Sequence, residues 1–488
     1  MYKAMKDMYK MDCFIPYVGE QTAEYVESLS ENAAVSQVYV LADHEVQMPC
    51  DVLVTKVPFS TNTMRAIANI ATVPFVLLCV KPFLPILGQN ALIRMAQVME
   101  ATSASMLYAD YEEKREDGVQ RHPLIDYQLG SLRDDFDFGG CVCLNTRMFQ
   151  AMMMTATVDY TFAGWYDVRL RMSQLALPFH LNEYLYVMDE TDLRKSGEKQ
   201  FDYVNPKNRQ VQIEMEEACT DHLKRIGAHI AAPTKQINLA KGDFACEASV
   251  IIPVKNRVKT IADAIDSVLK QKADFLFNVI VVDNYSDDGT GEIVEQKASR
   301  DERVIHLIPE RKDLGIGGCW NEGVAHPKCG RFAIQLDSDD LYQDENTLTK
   351  LVGAFYEQQV PMVVGSYTMT DFALNVLPPG LIDHKEWTAE NGRNNALRIN
   401  GLGAPRAFYT PLLREMMLPN TSYGEDYAIG LRISREYDLG RVMQSVYLCR
   451  RWEGNSDAAL PIEKVNANNL YKDKIRTIEV MARLKMNL

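Results

Sequence analysis

The stretch RFAIQLDSDDLYQ, residues Arg331–Gln343, decides the fold of the second half of this chain. Its apolar part, FAIQL, predicts a buried strand that runs directly into Asp337, with Asp339 and Asp340 close behind. These carboxylates repel one another, so crowding them costs free energy unless a cation is shared between them. Mg²⁺ is typically held by one or two carboxylates together with phosphate oxygens of its substrate. The pattern therefore fits a metal site, and taken alone it also fits a solvated turn that caps a helix.

The regions around this stretch alternate between strand-like and helical patterns. Short apolar runs predict further strands at 249–254, 279–283, 304–308 and 361–365. Fully apolar strands separated by helices are typical of a mainly parallel sheet that is covered on both faces. Ligands bind such sheets beyond the carboxyl ends of the strands, which is where Asp283 and Asp337 both lie.

The N-terminal half repeats the same plan in a weaker form. VYVLAD, ending at Asp43, parallels VIVVD, which ends at Asp283. GWYDVRLRMS (164–173) likewise parallels GEDYAIGLRIS (424–434). We predict a tandem duplication, with chance similarity between two α/β domains as the alternative. A break in periodicity near Pro233 and Gly242 places the domains at 1–235 and 246–488.

The N-terminal copy lacks the acidic clusters of the C-terminal one. Where the second copy reads QLDSDD, the first reads LLCVKPF, with Lys81 nearby. Where the second copy has Glu425 and Asp426, the first has Gly164 and Trp165. We predict a non-catalytic domain that braces the active one, binds acceptor or forms a homo-oligomer. The alternative is a metal-independent transferase that uses Lys81 for a diphosphate.

Composition excludes several classes of function. A net charge of −14 leaves no basic surplus to neutralise phosphates, which argues against a nucleic-acid binder. Among ten cysteines the one close pair is Cys141 and Cys143, which is not a zinc spacing and favours reduced thiols. The most apolar segment, 70–88, contains Lys81 and three prolines, and reads as a buried strand plus a loop. We therefore expect a cytoplasmic protein without an integral membrane segment, and peripheral contact with the inner face of the membrane stays open.

Two further motifs offer candidate chemistry. GIGGCWNEG (315–323) is rich in glycine, which allows close approach of the backbone to a ligand. Trp320 occupies the last glycine position of G-x-G-x-x-G, so a dinucleotide site is disfavoured. Glu425 and Asp426 stand at the start of a predicted helix, where a carboxylate can act as general base toward a hydroxyl or simply favour the helix dipole.

The order of these motifs resembles the family 2 glycosyltransferases of the GT-A fold over roughly residues 247–460. The segments that carry the resemblance are SVIIPVKNR, VVDNYSDDGT, CWNEG, QLDSDD, GED and CRRWEGNSD. It implies two tandem GT-A-like domains, each a mainly parallel sheet flanked by helices, of which the C-terminal one is catalytic. It also implies a role in polysaccharide biosynthesis.

The resemblance assigns the donor site residue by residue. Pro253 and Lys255 would line the nucleotide pocket, and Asp283 would accept a hydrogen bond from the base. Asp337 would contact the ribose near the metal, and Asp339 would coordinate Mn²⁺ or Mg²⁺ on the diphosphate. The donor would be a UDP-sugar, with a GDP-sugar as the alternative. Lys255 stands where the family often has an aromatic residue, so the resemblance does not assign the residue on which the base would stack.

The resemblance also assigns the transfer step. Asp426 would deprotonate a hydroxyl of a glycan or lipid-linked acceptor, with Glu425 in support or on the acceptor, in one inverting in-line displacement. Arg451 and Trp452, with Arg450, would close over the diphosphate or stack on a sugar, the alternative being an ordinary strand end. The segment lacks the Gln of the QxxRW motif of processive synthases, so processive synthesis is not predicted.

Two other functions compete with this one. The first is a non-catalytic nucleotide- or glycan-binding protein, against which the intact acidic clusters count. The second is a sugar nucleotidylyltransferase, which would carry a glycine-rich basic loop after its first strand. Here that segment is VKNRVKT (254–260), which has no glycine.

Overall fold

The structure is a computed structural model that describes residues 8–189, 208–231, 233–383, 385, 387–452, 455 and 460–488. Within these residues the chain divides into two compact units. The first unit contains the described residues up to 189, residues 208–229 and residues 460–488. The second contains the described residues between 230 and 459. Each unit is one sheet flanked by helices.

The first unit is built on strands that are buried where they cross its core. Its strands are β1 (Met11–Pro16), β2 (Val35–Ala42), β3 (Asp51–Val54), β4 (Phe75–Cys79), β5 (Ile86–Leu87), β6 (Met106–Arg115), β7 (Gly118–His122), β8 (Cys141–Asn145) and β9 (Phe179–Asp189). Its helices are α1 (Gln21–Ser30), α2 (Thr61–Ile70), α3 (Ala91–Thr102), α4 (Thr146–Met154), α5 (Gly164–Leu175), α6 (Arg209–Ile226) and α14 (Ile462–Met486). Side-chain caps set some of these limits: Ser60 accepts a hydrogen bond from the Thr63 amide (3.2 Å) at the start of α2.

The second unit contains the strands that the sequence predicts, with small changes at their ends. Its strands are β10 (Ala248–Val254), β11 (Phe277–Asp283), β12 (Val304–Leu307), β13 (Phe332–Gln335), β14 (Leu341–Tyr342), β15 (Met362–Asp371), β16 (Val376–Ile382), β17 (Arg406–Tyr409) and β18 (Gly440–Arg451). Its helices are α7 (Ile261–Leu269), α8 (Thr290–Arg300), α9 (Ile316–Ala325), α10 (Thr347–Gln358), α11 (Gly392–Asn395), α12 (Thr410–Met416) and α13 (Glu425–Glu436). The apolar face of α7 is buried at Ile261, Ile265 and Val268.

The two sheets have the same strand order within the described residues. The first runs β3-β2-β1-β4-β8-β6-β9-β5 with β7 on β6, and the second runs β12-β11-β10-β13-β17-β15-β18-β14 with β16 on β15. This shared topology is what a tandem duplication predicts. Strands β12, β11, β10 and β13 are parallel, as expected, but β17 is antiparallel to both β13 and β15. Each sheet is therefore mixed, since β8 is likewise antiparallel to β4 and β6 in the first unit. The sequence analysis did not predict the antiparallel β17.

The last helix of the chain belongs to the first unit. Asp473 on α14 is fully buried and accepts hydrogen bonds from Ser131 Oγ and Arg476 Nη1, both at 2.8 Å. The predicted second domain extended to residue 488, whereas the structure groups Leu460–Leu488 with the first unit. A helical period says which face of a helix is buried but not which domain it covers, so the sequence could not place α14.

The apolar segment 70–88 is a strand followed by a loop, as predicted. Phe75–Cys79 forms β4, and all five of its residues are buried. No helix among the described residues combines the length and the apolar character needed to cross a bilayer.

Candidate active site

The predicted donor-site residues lie at the carboxyl edge of parallel strands. Pro253 is the second-last residue of β10, and Lys255 follows that strand and is exposed. Asp283 ends β11, and Asp337 lies two residues beyond β13. Because β10 pairs with both β11 and β13 in parallel, these residues share one edge of the sheet, with Asp283 two strands away from Asp337.

Asp283 is buried and held within the unit. Its Oδ1 accepts a hydrogen bond from the Ser286 amide (2.9 Å), and its Oδ2 lies 3.4 Å from His306 Nε2. Burial acts to raise the pKa of Asp283, but the hydrogen bonds from His306 and Ser286 outweigh it and lower the pKa. Asp283 is therefore a carboxylate that faces a histidine at the strand end.

The acidic cluster after β13 divides into two kinds of carboxyl group. Asp340 is buried and accepts a hydrogen bond from the Arg450 amide at 2.8 Å. Burial, followed by the charges of Asp337 and Asp339, raises the pKa of Asp340 well above its usual range. Asp340 therefore stabilises the loop. Its buried, hydrogen-bonded position explains how the chain accommodates a third carboxyl group beside Asp337 and Asp339.

The other two aspartates are more accessible to solvent than Asp340. Asp337 is exposed, and its Oδ1 accepts a hydrogen bond from Gln335 Nε2 at 2.9 Å. Asp339 Oδ2 lies 3.3 Å from both Trp452 Nε1 and Asn455 Nδ2. Two carboxylates one residue apart provide the hard oxygen ligands that Mg²⁺ and Mn²⁺ prefer. Within the described part of the chain, no group of three or more His, Cys, Asp or Glu side chains could hold a metal ion.

Glu425 and Asp426 open helix α13 in different environments. The helix follows Gly424, whose φ of 76° favours glycine. Asp426 Oδ2 lies 2.6 Å from Arg406 Nη2, so this carboxylate has a cationic partner. Glu425 is buried, and its Oε2 has no hydrogen-bond partner among the described residues. Burial, followed by the charge of Asp426, raises the pKa of Glu425 to about 8. Asp426 is thus suited to act as a base, and Glu425 to remain protonated near neutral pH.

The glycine-rich loop packs against protein, not against an open ligand site. A Cβ at Gly317 would lie 2.0 Å from the Pro419 carbonyl oxygen, and one at Gly315 would lie 2.5 Å from the Thr421 carbonyl carbon. The Gly317 amide also donates to the Thr421 carbonyl at 2.9 Å. These glycines therefore bring α9 against the loop that precedes α13.

The end of β18 and the residue after it contribute two side chains that contact Asp339. Arg450 is buried, and its Nε donates to the Asp339 carbonyl (2.6 Å). Arg451, the last residue of β18, is half-buried, and the Trp452 indole reaches Asp339 as described above. The remaining residues of the predicted motif, except Asn455, lie outside the described residues.

Part of this site lies in a segment that matches a known protein family. Residues 249–408 match the model of glycosyl transferase family 2. This segment is a family 2 glycosyltransferase domain.

Relatives of the glycosyltransferase domain match over short segments. Glycosyltransferase GlyG of Streptococcus pneumoniae is 32% identical over 119 residues, which are 24% of this chain and 38% of GlyG. TuaG, a glycosyltransferase of Bacillus subtilis named for teichuronic acid biosynthesis, is 35% identical over 97 residues, which are 20% of this chain and 37% of TuaG. The chain therefore covers less than two fifths of either relative. A solved structure of S. aureus TarS 1-349 with UDP-GlcNAc is 22% identical, with a TM-score of 0.37, and the match covers 49% of this chain and 72% of that one.

Sequence reasoning missed two basic residues in the glycosyltransferase domain. Arg257 Nε lies 3.9 Å from Asp339 Oδ2, and Arg406 contacts Asp426. Arg257 stands two residues after Lys255, in a segment that the family resemblance assigns to the nucleotide pocket. Its position in the sequence could therefore have predicted that it lies near the donor site. Arg406 lies in no motif, and only the fold brings it to the site.

The first unit has a different arrangement at the matching strand end. Lys81 follows β4 and lies 3.0 Å from Asp137, which lies 3.5 Å from His122 Nε2. The Lys81 ammonium also lies 5.4 Å from the centre of the Tyr111 ring. The basic group that the alternative reading assigned to a diphosphate is therefore already engaged with an acid of its own unit.

The buried environment of Glu425 predicts that the unfolding free energy depends on pH. Between its usual pKa of 4.5 and its value of about 8, the folded chain keeps a proton that the unfolded chain releases. The unfolding free energy contributed by Glu425 therefore falls as pH rises through this window. We expect Glu425→Gln to be more stable than wild type by about 1–3 kcal/mol at pH 8.5, with a smaller difference at pH 5.

Thermal or urea unfolding of both proteins across this pH range measures the difference. Glu436→Gln, at the other end of α13, is the matched control, because hydrogen bonding from Lys235 lowers the pKa of Glu436. Removing that charge should cost stability above pH 5 instead of adding it. A constant difference between Glu425→Gln and wild type from pH 5 to 8.5 would contradict the assignment.

Proposed function

We propose that the second unit is an inverting, metal-dependent glycosyltransferase that moves a sugar from a nucleoside diphosphate to an acceptor hydroxyl. The observation that carries the proposal is that the exposed Asp337 is joined through Gln335 and Arg406 to Asp426 at the start of α13. Asp337 and Asp339 suit a cation on the donor diphosphate, and Asp426 suits a base toward the acceptor. The family 2 match over residues 249–408 supports this assignment.

In this proposal the strand-end residues bind the donor. Pro253 and Lys255 lie beside the base of UDP, or alternatively of GDP, and Asp283 accepts its hydrogen bond. The exposed ammonium of Lys255 adds positive charge near an anionic ligand. Arg257, close to Asp339, adds a guanidinium that suits the planar, bidentate geometry of phosphate.

A second group of residues acts on the diphosphate. Asp339 and Asp337 would hold Mn²⁺ or Mg²⁺, which as a Lewis acid stabilises the departing diphosphate. Trp452 and Arg451 follow from β18 and cover this side of the cleft. In the structure the Trp452 indole donates to Asp339 Oδ2, so it helps to orient a carboxylate that would hold the cation.

The transfer itself requires a base on the acceptor side. Asp426 accepts the proton of the acceptor hydroxyl as its oxygen bonds to the anomeric carbon of the sugar. The bond from that carbon to the diphosphate oxygen breaks, and the electron pair leaves with the nucleoside diphosphate. A single displacement of this kind inverts the anomeric configuration. Glu425, protonated near neutral pH, can donate a hydrogen bond to an acceptor oxygen.

The acceptor in this proposal is a glycan or a lipid-linked saccharide of polysaccharide biosynthesis, to which the name of TuaG also refers. The reaction would be cytoplasmic, with peripheral contact to the membrane where the acceptor is lipid-linked. The first unit would be non-catalytic, because Lys81 and Asp137 pair where the second unit has Asp337 and Asp339.

Titration calorimetry with UDP and with GDP tests the donor site, with Mn²⁺ or with chelator. We expect one nucleotide to bind only with Mn²⁺, and we expect Asp339→Ala to lose that binding by roughly tenfold or more. Asp344→Ala is the matched control, because Asp344 is a nearby aspartate that pairs with Lys350 at 2.7 Å. Binding that ignores both the metal and Asp339→Ala would contradict the donor site. Binding without turnover of any nucleotide sugar would favour a non-catalytic nucleotide-binding protein.

A further inference from the structure

Arg406 joins the two halves of the proposed active site. Its Nη2 lies 2.6 Å from Asp426 Oδ2, and its Nη1 donates to Gln335 Oε1 at 2.9 Å. The Arg406 amide also donates to Gln335 Oε1, at 3.1 Å. Gln335 Nε2 in turn donates to Asp337 Oδ1 at 2.9 Å. A continuous path of hydrogen bonds therefore runs from the metal-side aspartate to the base.

Beyond the exposed Asp337, the path is partly sheltered from water. Gln335 is 5% exposed, and the side chains of Arg406 and Asp426 are 19% and 25% exposed. Partly buried ion pairs are screened less than surface pairs, so this contact constrains the carboxylate more than a surface contact would. Burial acts to lower the pKa of Arg406, but the charges of Asp426 and Asp337 act against it and raise that pKa.

Arg406 makes more contacts than its salt bridge to Asp426 requires. It is the first residue of β17, and its backbone amide and guanidinium converge on the same Gln335 oxygen. This double contact fixes the plane of the guanidinium before it meets Asp426. Arginine can hold two acceptors in a fixed geometry, whereas the lysine ammonium is a single point charge.

We propose that Arg406 is a positioning residue that orients the Asp426 carboxylate toward the acceptor and, through Gln335, couples it to the donor-side Asp337. This inference rests on the proposed glycosyltransferase activity. Arg406 gains no proton and forms no bond to the sugar. It acts by holding the base, which accepts the hydroxyl proton while the diphosphate departs. Near-attack geometry of this kind changes turnover and leaves donor affinity unchanged.

The test uses the full chain with Mn²⁺ and the donors UDP-glucose, UDP-N-acetylglucosamine and GDP-mannose. Release of nucleoside diphosphate measures transfer, with water as the acceptor where no other is known. We expect Arg406→Met to lower kcat by about 10²-fold with the nucleotide Kd within about threefold of wild type. Arg406→Lys should recover only part of this loss. Arg432→Met, which removes an exposed guanidinium 3.5 Å from Glu436 on α13, is the matched control.

Combining Arg406→Met with Asp426→Asn distinguishes a positioning role of Arg406 from a purely structural one. If Arg406 acts through Asp426, Arg406→Met should lower kcat little further once Asp426→Asn is present. Equal losses in both backgrounds, or a fall in donor affinity that accounts for the lost turnover, would overturn the inference. Unfolding curves check that each variant folds, and if Arg406→Met does not fold, Arg406→Gln serves in its place with the same expectations. If wild type neither binds a nucleotide nor turns over any donor, the proposed function has failed first.

Discussion

Under the proposed function, Asp426→Asn should lower the rate of sugar transfer by about 10²- to 10⁴-fold, the usual contribution of a general base. The substitution keeps the shape of the side chain but removes the group that accepts the hydroxyl proton. Asp426 pairs with Arg406 and is not one of the residues proposed to hold the metal or the nucleotide, so nucleotide binding with Mn²⁺ should change little. Steady-state release of nucleoside diphosphate, together with calorimetry, measures both quantities.

The neighbouring glutamate provides the internal control. Because the pKa of Glu425 is raised to about 8, Glu425→Gln replaces a group that is already neutral at pH 7 by one of the same shape. We expect Glu425→Gln to keep turnover within about tenfold of wild type, far above Asp426→Asn. If Glu425→Gln is the more damaging change, the roles of these two residues are reversed and Glu425 is the base.

Asp473→Leu should destabilise the first unit by about 3–5 kcal/mol, the usual cost of leaving buried cations without their partner. Asp473 is fully buried, and the Arg476 guanidinium beside it is also fully buried. The carboxylate further accepts from Ser131 and lies 3.6 Å from Arg133 Nε. Removing it takes a carboxylate partner from two buried guanidinium groups, of which Arg133 keeps Asp135 at 3.0 Å.

Hydrogen exchange of the first-unit strands under increasing urea measures this loss, because it resolves each unit separately. Lys474→Leu, the adjacent and exposed position on α14, is the matched control and should change stability by less than about 0.5 kcal/mol. The double change Asp473→Leu with Arg476→Met should restore part of the lost stability. Equal protection in Asp473→Leu and wild type would show that α14 adds little to this unit.

The sequence located the parts of the site that follow a strand end or open a helix. Asp337, Asp339 and Asp426 were visible because apolar periodicity locates strands and helices, and chemistry sits where those elements end. The role of Asp340 could not be predicted, because the sequence DSDD does not indicate which of its three carboxyl groups is buried. Arg406 escaped notice because it comes from a four-residue strand whose neighbours are far away in sequence.

The glycine-rich loop shows a different kind of error. A run such as GIGG predicts that backbone approaches something closely, and this prediction was correct for Gly315 and Gly317. The sequence does not identify the partner, which is the loop before α13 and not a ligand. The sheet as a whole was predicted best where its strands are apolar and parallel, and worst where they are short.

The return of α14 to the first unit has a consequence for synthesis on the ribosome. Chains emerge from the N-terminus, and domains generally fold as they are completed. Here the unit that emerges first lacks Ile462–Met486 until the whole of the second unit has been translated. Asp473, the partner of Ser131 and Arg133, is therefore synthesised late. The first unit stays incompletely covered until translation of the chain reaches its end. A premature stop near residue 460 would spare most of the glycosyltransferase domain and still damage the unit encoded before it.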